Sequence, residues 1–199
     1  MESSKRLVVG ISGASGVTYG LRLLELLRPT PIETHLIVSR AAERTLVQEL
    51  PSGNRSLKDL ADAWYPIDDI GAAVASGSFK TKGMIVVPCS VKTLGEIACG
   101  IASNLLTSAA DVTLKERRRL VLAVRESPLN LIHLRNMVTV TEAGAIVAPP
   151  VPMLYAHPKS LEEAITNTAC RLLDLFDIDL GILPRWGEQI DPHAPAPKR

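Results

Sequence analysis

Few cysteines, few aromatics, almost no net charge and no long apolar run mark this chain, and each shortage removes a class of protein. Its 199 residues include three cysteines, Cys89, Cys99 and Cys170, an odd number without paired spacing. That sets aside a disulfide framework and a cysteine zinc site, and makes the reducing cytoplasm the expected setting. The formal charge is +1, from 22 basic and 21 acidic residues. No overall field exists to gather nucleic acid or an anionic membrane, so any anion must be held by a local cluster. Gly, Pro or a charge breaks every apolar stretch before the roughly 20 residues that a bilayer demands, and the polar start with its brief apolar run is too short for a signal peptide. The four histidines, His35, His133, His157 and His193, lack the i, i+4 spacing of a helical metal pair, so no metal site is expected. Aromatics are only 4% of the chain, and the many small residues in their place permit close helix packing.

What is present is 46% hydrophobic, enough for one substantial core. Residues 6–11 read as a buried strand, 17–28 as a helix with Leu21, Leu24 and Leu27 at helical spacing, 32–38 as a second strand and 41–50 as a helix. Residues 51–82, rich in Gly, Ser, Asp and Pro, read as an elaborated connection with one or two short helical pieces. A short apolar run from Met84 stops at Pro88, and Ser90 is placed to cap a helix through Ile97. Helices are predicted over 103–117, 129–143 and 160–176, with strands at 120–124 and 145–148 between them. Nearly all-apolar strands alternating with helices predict an α/β fold, a doubly wound parallel sheet of Rossmann-like or flavodoxin-like type. Its ligands sit beyond the carboxyl ends of the strands. The fold is expected to occupy 1–188 as one domain, with 189–199 a Pro/Ala-rich flexible tail.

Those carboxyl ends direct attention to a few loops. The first strand runs into Gly10-Ile-Ser-Gly13-Ala14-Ser15-Gly16, a glycine-rich turn that leaves backbone amides free at a helix start and so suits a phosphate. Plain strand-to-helix packing is the alternative. The second strand ends in Val38-Ser39-Arg40, without the acidic residue of a dinucleotide site, which fits a mononucleotide better; Arg40 keeps a 2′-phosphate open. Pro88-Cys89-Ser90-Val91-Lys92-Thr93 supplies donors to a ring or phosphate, or an ordinary cap with Lys92 in solvent. Arg117, Arg118 and Arg119 read as a solvated helix end. Arg125 and Glu126 stand together at the end of a strand, as a site pair or a surface ion pair.

Taken jointly, ordered motifs carry a resemblance. They are Val-Gly-Ile-Ser-Gly-Ala-Ser-Gly at 9–16, Ala-Ser-Gly-Ser-Phe at 75–79, Pro-Cys-Ser-Val-Lys-Thr-Leu at 88–94 and Ala-Ala-Asp-Val-Thr-Leu-Lys-Glu-Arg-Arg at 109–118. Val-Arg-Glu-Ser-Pro-Leu at 124–129, Pro-Pro-Val-Pro-Met-Leu-Tyr at 149–155 and Leu-Pro-Arg-Trp-Gly-Glu at 183–188 complete the set. Over 6–188 the chain resembles the flavin prenyltransferases of the UbiX type. The resemblance implies FMN held by Gly13, Ala14, Ser15, Ser39, Ser90, Val91, Lys92, Thr93 and Arg125. It implies dimethylallyl phosphate held by Lys115, Arg125, Tyr155 and Arg171. The implied reaction joins the dimethylallyl group to N5 and C6 of reduced FMN, and the prenylated FMN serves a partner decarboxylase of the UbiD type. A homo-oligomer, a dodecamer with sites at subunit contacts, is implied as well.

The residue types suit that chemistry without a metal. Lys115, Arg125, Arg171 and the Tyr155 hydroxyl can stabilise the negative charge that grows on a departing phosphate. Trp186 offers a π face to a carbocation-like allyl fragment. Glu126 is the candidate to assist proton loss at ring closure, Ser15 positions the N5 region, and Glu49 adds a second carboxylate. Without the resemblance, Tyr155 reads equally as a buried aromatic with its hydroxyl satisfied and Arg171 as a helix-surface cation, while Trp186 reads as packing. Where the family commonly has an arginine before Ala-Ala-Asp-Val, this chain has Ser108, one phosphate-binding cation fewer. The competing functions are an FMN-dependent decarboxylase of the cysteine-decarboxylase group, whose active-site histidine and Asn-Met motif are not found here, and a non-catalytic FMN carrier subunit.

Overall fold

The structure is a computed structural model that describes residues 5–50 and 56–190. In chain order it runs β1 (Arg6–Ile11), α1 (Val17–Leu27), β2 (Glu33–Val38), α2 (Arg40–Glu49), β3 (Ala63–Tyr65) and β4 (Gly83–Cys89). There follow α3 (Val91–Ala98), α4 (Leu105–Lys115), β5 (Arg119–Val124), α5 (Leu131–Glu142), β6 (Ile146–Val147) and α6 (Leu161–Asp174). The strands form one parallel sheet in the order β3-β2-β1-β4-β5-β6. This is the doubly wound arrangement, with the chain reversing direction between β1 and β4, where such sheets open a crevice for ligands.

Alternation along each strand feeds two cores. Leu7, Val9 and Ile11 of β1, Ile85 and Val87 of β4, and Val121 and Ala123 of β5 pack with Leu21, Leu23 and Leu24 of α1 and Leu172, Leu173 and Phe176 in and after α6. Val8, Met84, Val86, Leu120 and Leu122 turn the other way, onto Leu94 of α3 and Leu105, Leu106 and Ala109 of α4. Because successive side chains of a strand point to opposite faces, a sheet covered on both sides must be apolar at every position. The continuous apolar runs in the sequence have that cause.

Two expectations are corrected. The connection 51–82 holds an edge strand, β3, besides short turns of 3-10 helix at Leu57–Leu60 and Ala73–Ala75. Three residues, Ala63, Trp64 and Tyr65, are too few for periodicity to register. Side chains fix the strand instead: Asp62 accepts from the Thr34 amide (2.7 Å) and hydroxyl (2.8 Å), and the Tyr65 hydroxyl lies 2.9 Å from His35 Nδ1. The Thr34 amide holds the Asp62 carboxyl below its usual range. Further on, β4 continues through Pro88 to Cys89 rather than stopping there, since proline removes only a donor and the Pro88 carbonyl still accepts from the Ser12 amide (3.2 Å) and hydroxyl (3.0 Å). At the other end, Gln189 and Ile190, expected in the tail, are bonded to Arg185; 191–199 lies outside the described residues.

Candidate functional site

Three loops at the carboxyl edge of the sheet converge on a cavity of about 620 Å³, within the range of small-molecule pockets. The loop after β1 brings Gly13, Ala14 and Ser15, that after β2 brings Ser39, that after β4 brings Ser90, Val91, Lys92 and Thr93, and the end of β5 brings Arg125 and Glu126. Every residue that the sequence pointed to for the flavin lines this one space. So does Glu126 among the catalytic candidates.

Local chemistry shapes the loops. Ser39 caps α2 by accepting from the Ala42 amide at 3.1 Å, and Ser90 caps α3 by accepting from the Thr93 amide at 3.3 Å, each cap worth about 1 kcal/mol. The amides of Val91 and Lys92, in the first turn of α3, have no intrahelical carbonyl to meet and face an anion naturally. Ser12, 1% exposed, ties two loops together: its hydroxyl donates to the Pro88 carbonyl and accepts from the Ser90 amide at 2.7 Å. Gly13 is demanded by close approach, because a Cβ there would stand 2.3 Å from the Ala41 Cβ at the start of α2. Cys89 takes no part as a nucleophile, since complete burial pushes its thiol up to about 12.

The α1 helix start differs from expectation. Both oxygens of Glu49, the last residue of α2, accept from α1: Oε1 from the Gly16 amide at 2.7 Å and Oε2 from the Val17 amide at 2.9 Å. A carboxylate of the chain itself thus occupies the place where the sequence predicts a bound phosphate, since a helix N-terminus attracts any anion within reach. The amides left for a ligand are those of Gly13 and Ser15, just before it. Glu49, the second carboxylate candidate, does not line the cavity, and its carboxylate fixes the turn.

The remaining candidates are not brought together in one chain. Tyr155, Arg171 and Trp186 line a second hollow of about 610 Å³ with Asp174, Asp179, Arg185 and Glu188, and the Tyr155 and Trp186 rings meet edge to face with centroids 5.3 Å apart. Arg171 is one helical turn from Leu175, whose carbonyl accepts from Arg119 at the start of β5. Arg125 lies past the other end of that strand, about 20 Å from Arg119 along it, and lines the flavin-side cavity, which Arg171 does not. Lys115 belongs to neither hollow. Its ammonium pairs with Glu116 at 2.7 Å, and it closes an 11-residue helix, roughly 16 Å long, whose first turn borders the flavin-side cavity through Leu106. Ser108 lies between those ends and does not line the cavity.

The cavity is also lined by Arg44, Ile67, Asp68, Asn104 and Leu106, which none of the motifs above singles out. Asn104 had a legible signal, a capping box with Thr107 at the start of α4. Arg44, one turn after Arg40 on α2, had the weaker one of helical spacing. Ile67 and Asp68 follow the short edge strand and had none.

A parallel sheet whose carboxyl edge carries a glycine turn, two capped helix starts and an arginine defines a mononucleotide-binding α/β protein, and the comparison with known families agrees. Residues 1–177 match the Flavoprotein family, to which this chain belongs. Within it the chain is 51% identical over 187 residues to the flavin prenyltransferase UbiX of Neisseria meningitidis, covering 94% of this chain and 99% of that one. A crystal structure of AnUbiX (PadA1) in complex with FMN and dimethylallyl pyrophosphate superposes with a TM-score of 0.89 at 49% identity, over 92% of this chain and 97% of that one. A dodecameric FMN-dependent UbiX-like decarboxylase from Escherichia coli O157:H7 gives 0.88 at 43% identity, over 91% and 98%.

Proposed function

We propose that this chain is a flavin prenyltransferase that joins the dimethylallyl group of dimethylallyl phosphate to N5 and C6 of reduced FMN. The single observation that carries the reading is the convergence of every expected flavin contact on one cavity, in a chain that shares half its residues with a flavin prenyltransferase over almost its whole length. FMN fits that cavity: the amides of Gly13 and Ser15 and the first turn of α3 suit its anionic phosphate. Hydroxyls of Ser15, Ser39 and Thr93 are placed to hold polar ring edges. When bound, reduced FMN supplies the nucleophilic N5 and C6 positions.

The protein groups divide the work by charge. Arg125 faces the cavity as a cation for the leaving phosphate, and Glu126 beside it, its Oε1 accepting from the Ser127 amide at 2.9 Å, is the base that receives the proton lost when C6 closes the ring. Lys115, Tyr155 and Arg171 complete the phosphate grip, with Trp186 against the allyl fragment, from neighbouring copies of the chain. What supports this is their placement: none of these groups lines the cavity that holds Arg125. Exposed apolar side chains fit such assembly, among them Leu131, Ile132, Leu134 and Val138 on α5, which buries only Val140 of its own. The assembly is a dodecamer, as in the Escherichia coli O157:H7 relative. The prenylated FMN product passes to a UbiD-type decarboxylase in the cytoplasm. No helix among the described residues is long and apolar enough to cross a membrane.

Anaerobic incubation with reduced FMN and dimethylallyl phosphate, followed by mass analysis of the flavin, tests the reading. A gain of one five-carbon unit is expected. Unaltered flavin would leave the carrier role, and carbon dioxide release from a carboxylate substrate would point to the decarboxylase.

A further inference from the structure

Arg185 takes no part in the chemistry above, yet it makes the densest ionic contacts in the second hollow. Its Nη1 and Nη2 donate to Asp174 Oδ2 and Oδ1 at 3.0 and 2.9 Å, and Nη2 lies 3.0 Å from Asp179 Oδ2. The backbone around it is closed into a small turn: its amide donates to Gln189 Oε1 at 2.9 Å, and its carbonyl accepts from the amides of Glu188 (3.2 Å) and Ile190 (3.1 Å). Trp186 follows immediately in that turn, with its ring against Tyr155.

Asp174 closes α6, and Arg171 lies one turn before it on the same helix. The two stand at 3.7 Å, against 2.9 Å for the Arg185 pair, and the Arg171 side chain remains 55% exposed. A planar fork that engages both oxygens of a carboxylate leaves little of its charge for a second cation. Were Arg185 absent, the i, i+3 spacing would draw Arg171 into the pair and spend its charge there.

We propose that Arg185 is a positioning residue for prenyl transfer: by occupying Asp174 it leaves Arg171 available to the anionic donor, and by pinning its turn to α6 it holds the Trp186 ring beside Tyr155. The inference rests on the functional reading above and extends it to a residue that does not touch the donor.

The test uses R185Q, R185K and the double variant D174N/R185Q in the full chain, each also in a W64F background so that emission reports Trp186 alone. R185Q should raise the KM for dimethylallyl phosphate roughly tenfold, the scale of one charge-assisted contact, with FMN affinity unchanged and kcat lowered less. Trp186 emission should shift to the red and lose anisotropy. R185K, a point charge without the fork, should recover only part of both effects. In D174N/R185Q the KM should return toward wild type, because no carboxylate remains to capture Arg171, while the emission stays altered. An unchanged KM in R185Q, or a raised one that D174N does not relieve, would overturn the role in freeing Arg171; unaltered Trp186 emission would overturn the pinning. If wild-type protein fails to prenylate flavin, the functional reading falls, whereas emission and the binding of dimethylallyl phosphate, followed by thermal shift, still judge the clamp.

Discussion

Gly13 and Glu126 show at residue scale how different kinds of necessity meet in one cavity. Gly13 is fixed by space, since any Cβ meets Ala41 before it meets a ligand. The G13V variant should therefore displace the turn from α2 and lose FMN on purification, measured as the absorbance ratio of flavin to protein; full occupancy would refute the assignment of the turn. For Glu126 the proposed necessity is chemical. E126Q keeps the shape and the hydrogen bond to Ser127 but removes the proposed base, so flavin should still bind while single-turnover transfer slows at ring closure by roughly 10²-fold or more. Normal turnover in that variant would move the proton to another acceptor.

Element-scale behaviour is clearest at the edge of the sheet. His35 on β2 is 3% exposed and stands between the Tyr65 hydroxyl and the Glu33 carboxylate, whose oxygen is 3.0 Å from Nε2. Burial pushes its pKa below the ordinary 6.5; Glu33 and then Asp62 oppose that shift, while Arg6 adds to it. A histidine depressed in the folded state takes up more protons when unfolded, so its contribution is complete above the ordinary value and is lost as pH falls below it. Urea midpoints of the wild type should thus drop between about pH 7.5 and about pH 5.5, and H35Q should drop less. An equal drop in both would remove His35 as the cause. E33Q should enlarge the drop, because the carboxylate that steadies the protonated ring is gone.

At the scale of the whole molecule, the division of candidate residues among separate surfaces is what the proposed sharing of sites between subunits rests on. Placing a charge on the exposed apolar stripe of α5, as in V138D, should dissociate the oligomer in analytical ultracentrifugation and lower turnover more than FMN affinity. Retention of the wild-type mass would exclude that stripe from the contacts. Mixing supplies a second check. R125A and R171A chains should each be nearly inactive, and co-expressed they should regain part of the activity, since some sites then combine an intact flavin-side surface with an intact donor-side surface. No recovery in demonstrably mixed oligomers would place both arginines in one subunit's site.

The layered α/β architecture was legible along the chain, because a sheet buried on both faces requires uninterrupted apolar strands between amphipathic helices, and the glycine turn, Ser39, Ser90 and Arg125 all fall at the ends of such strands. Local chemistry was enough there: caps, turns and strand ends are set by neighbours in the chain. Tertiary structure decided the rest. Only packing of α2 beside α1 shows that Glu49 closes the helix start that looked open to phosphate, and only cross-strand bonds from Thr34 and His35 reveal β3. Only the fold shows that Lys115 and Arg171 do not line the cavity that holds Arg125. These contacts join residues distant along the chain, and no periodicity or propensity encodes how far apart in space two motifs will come to rest.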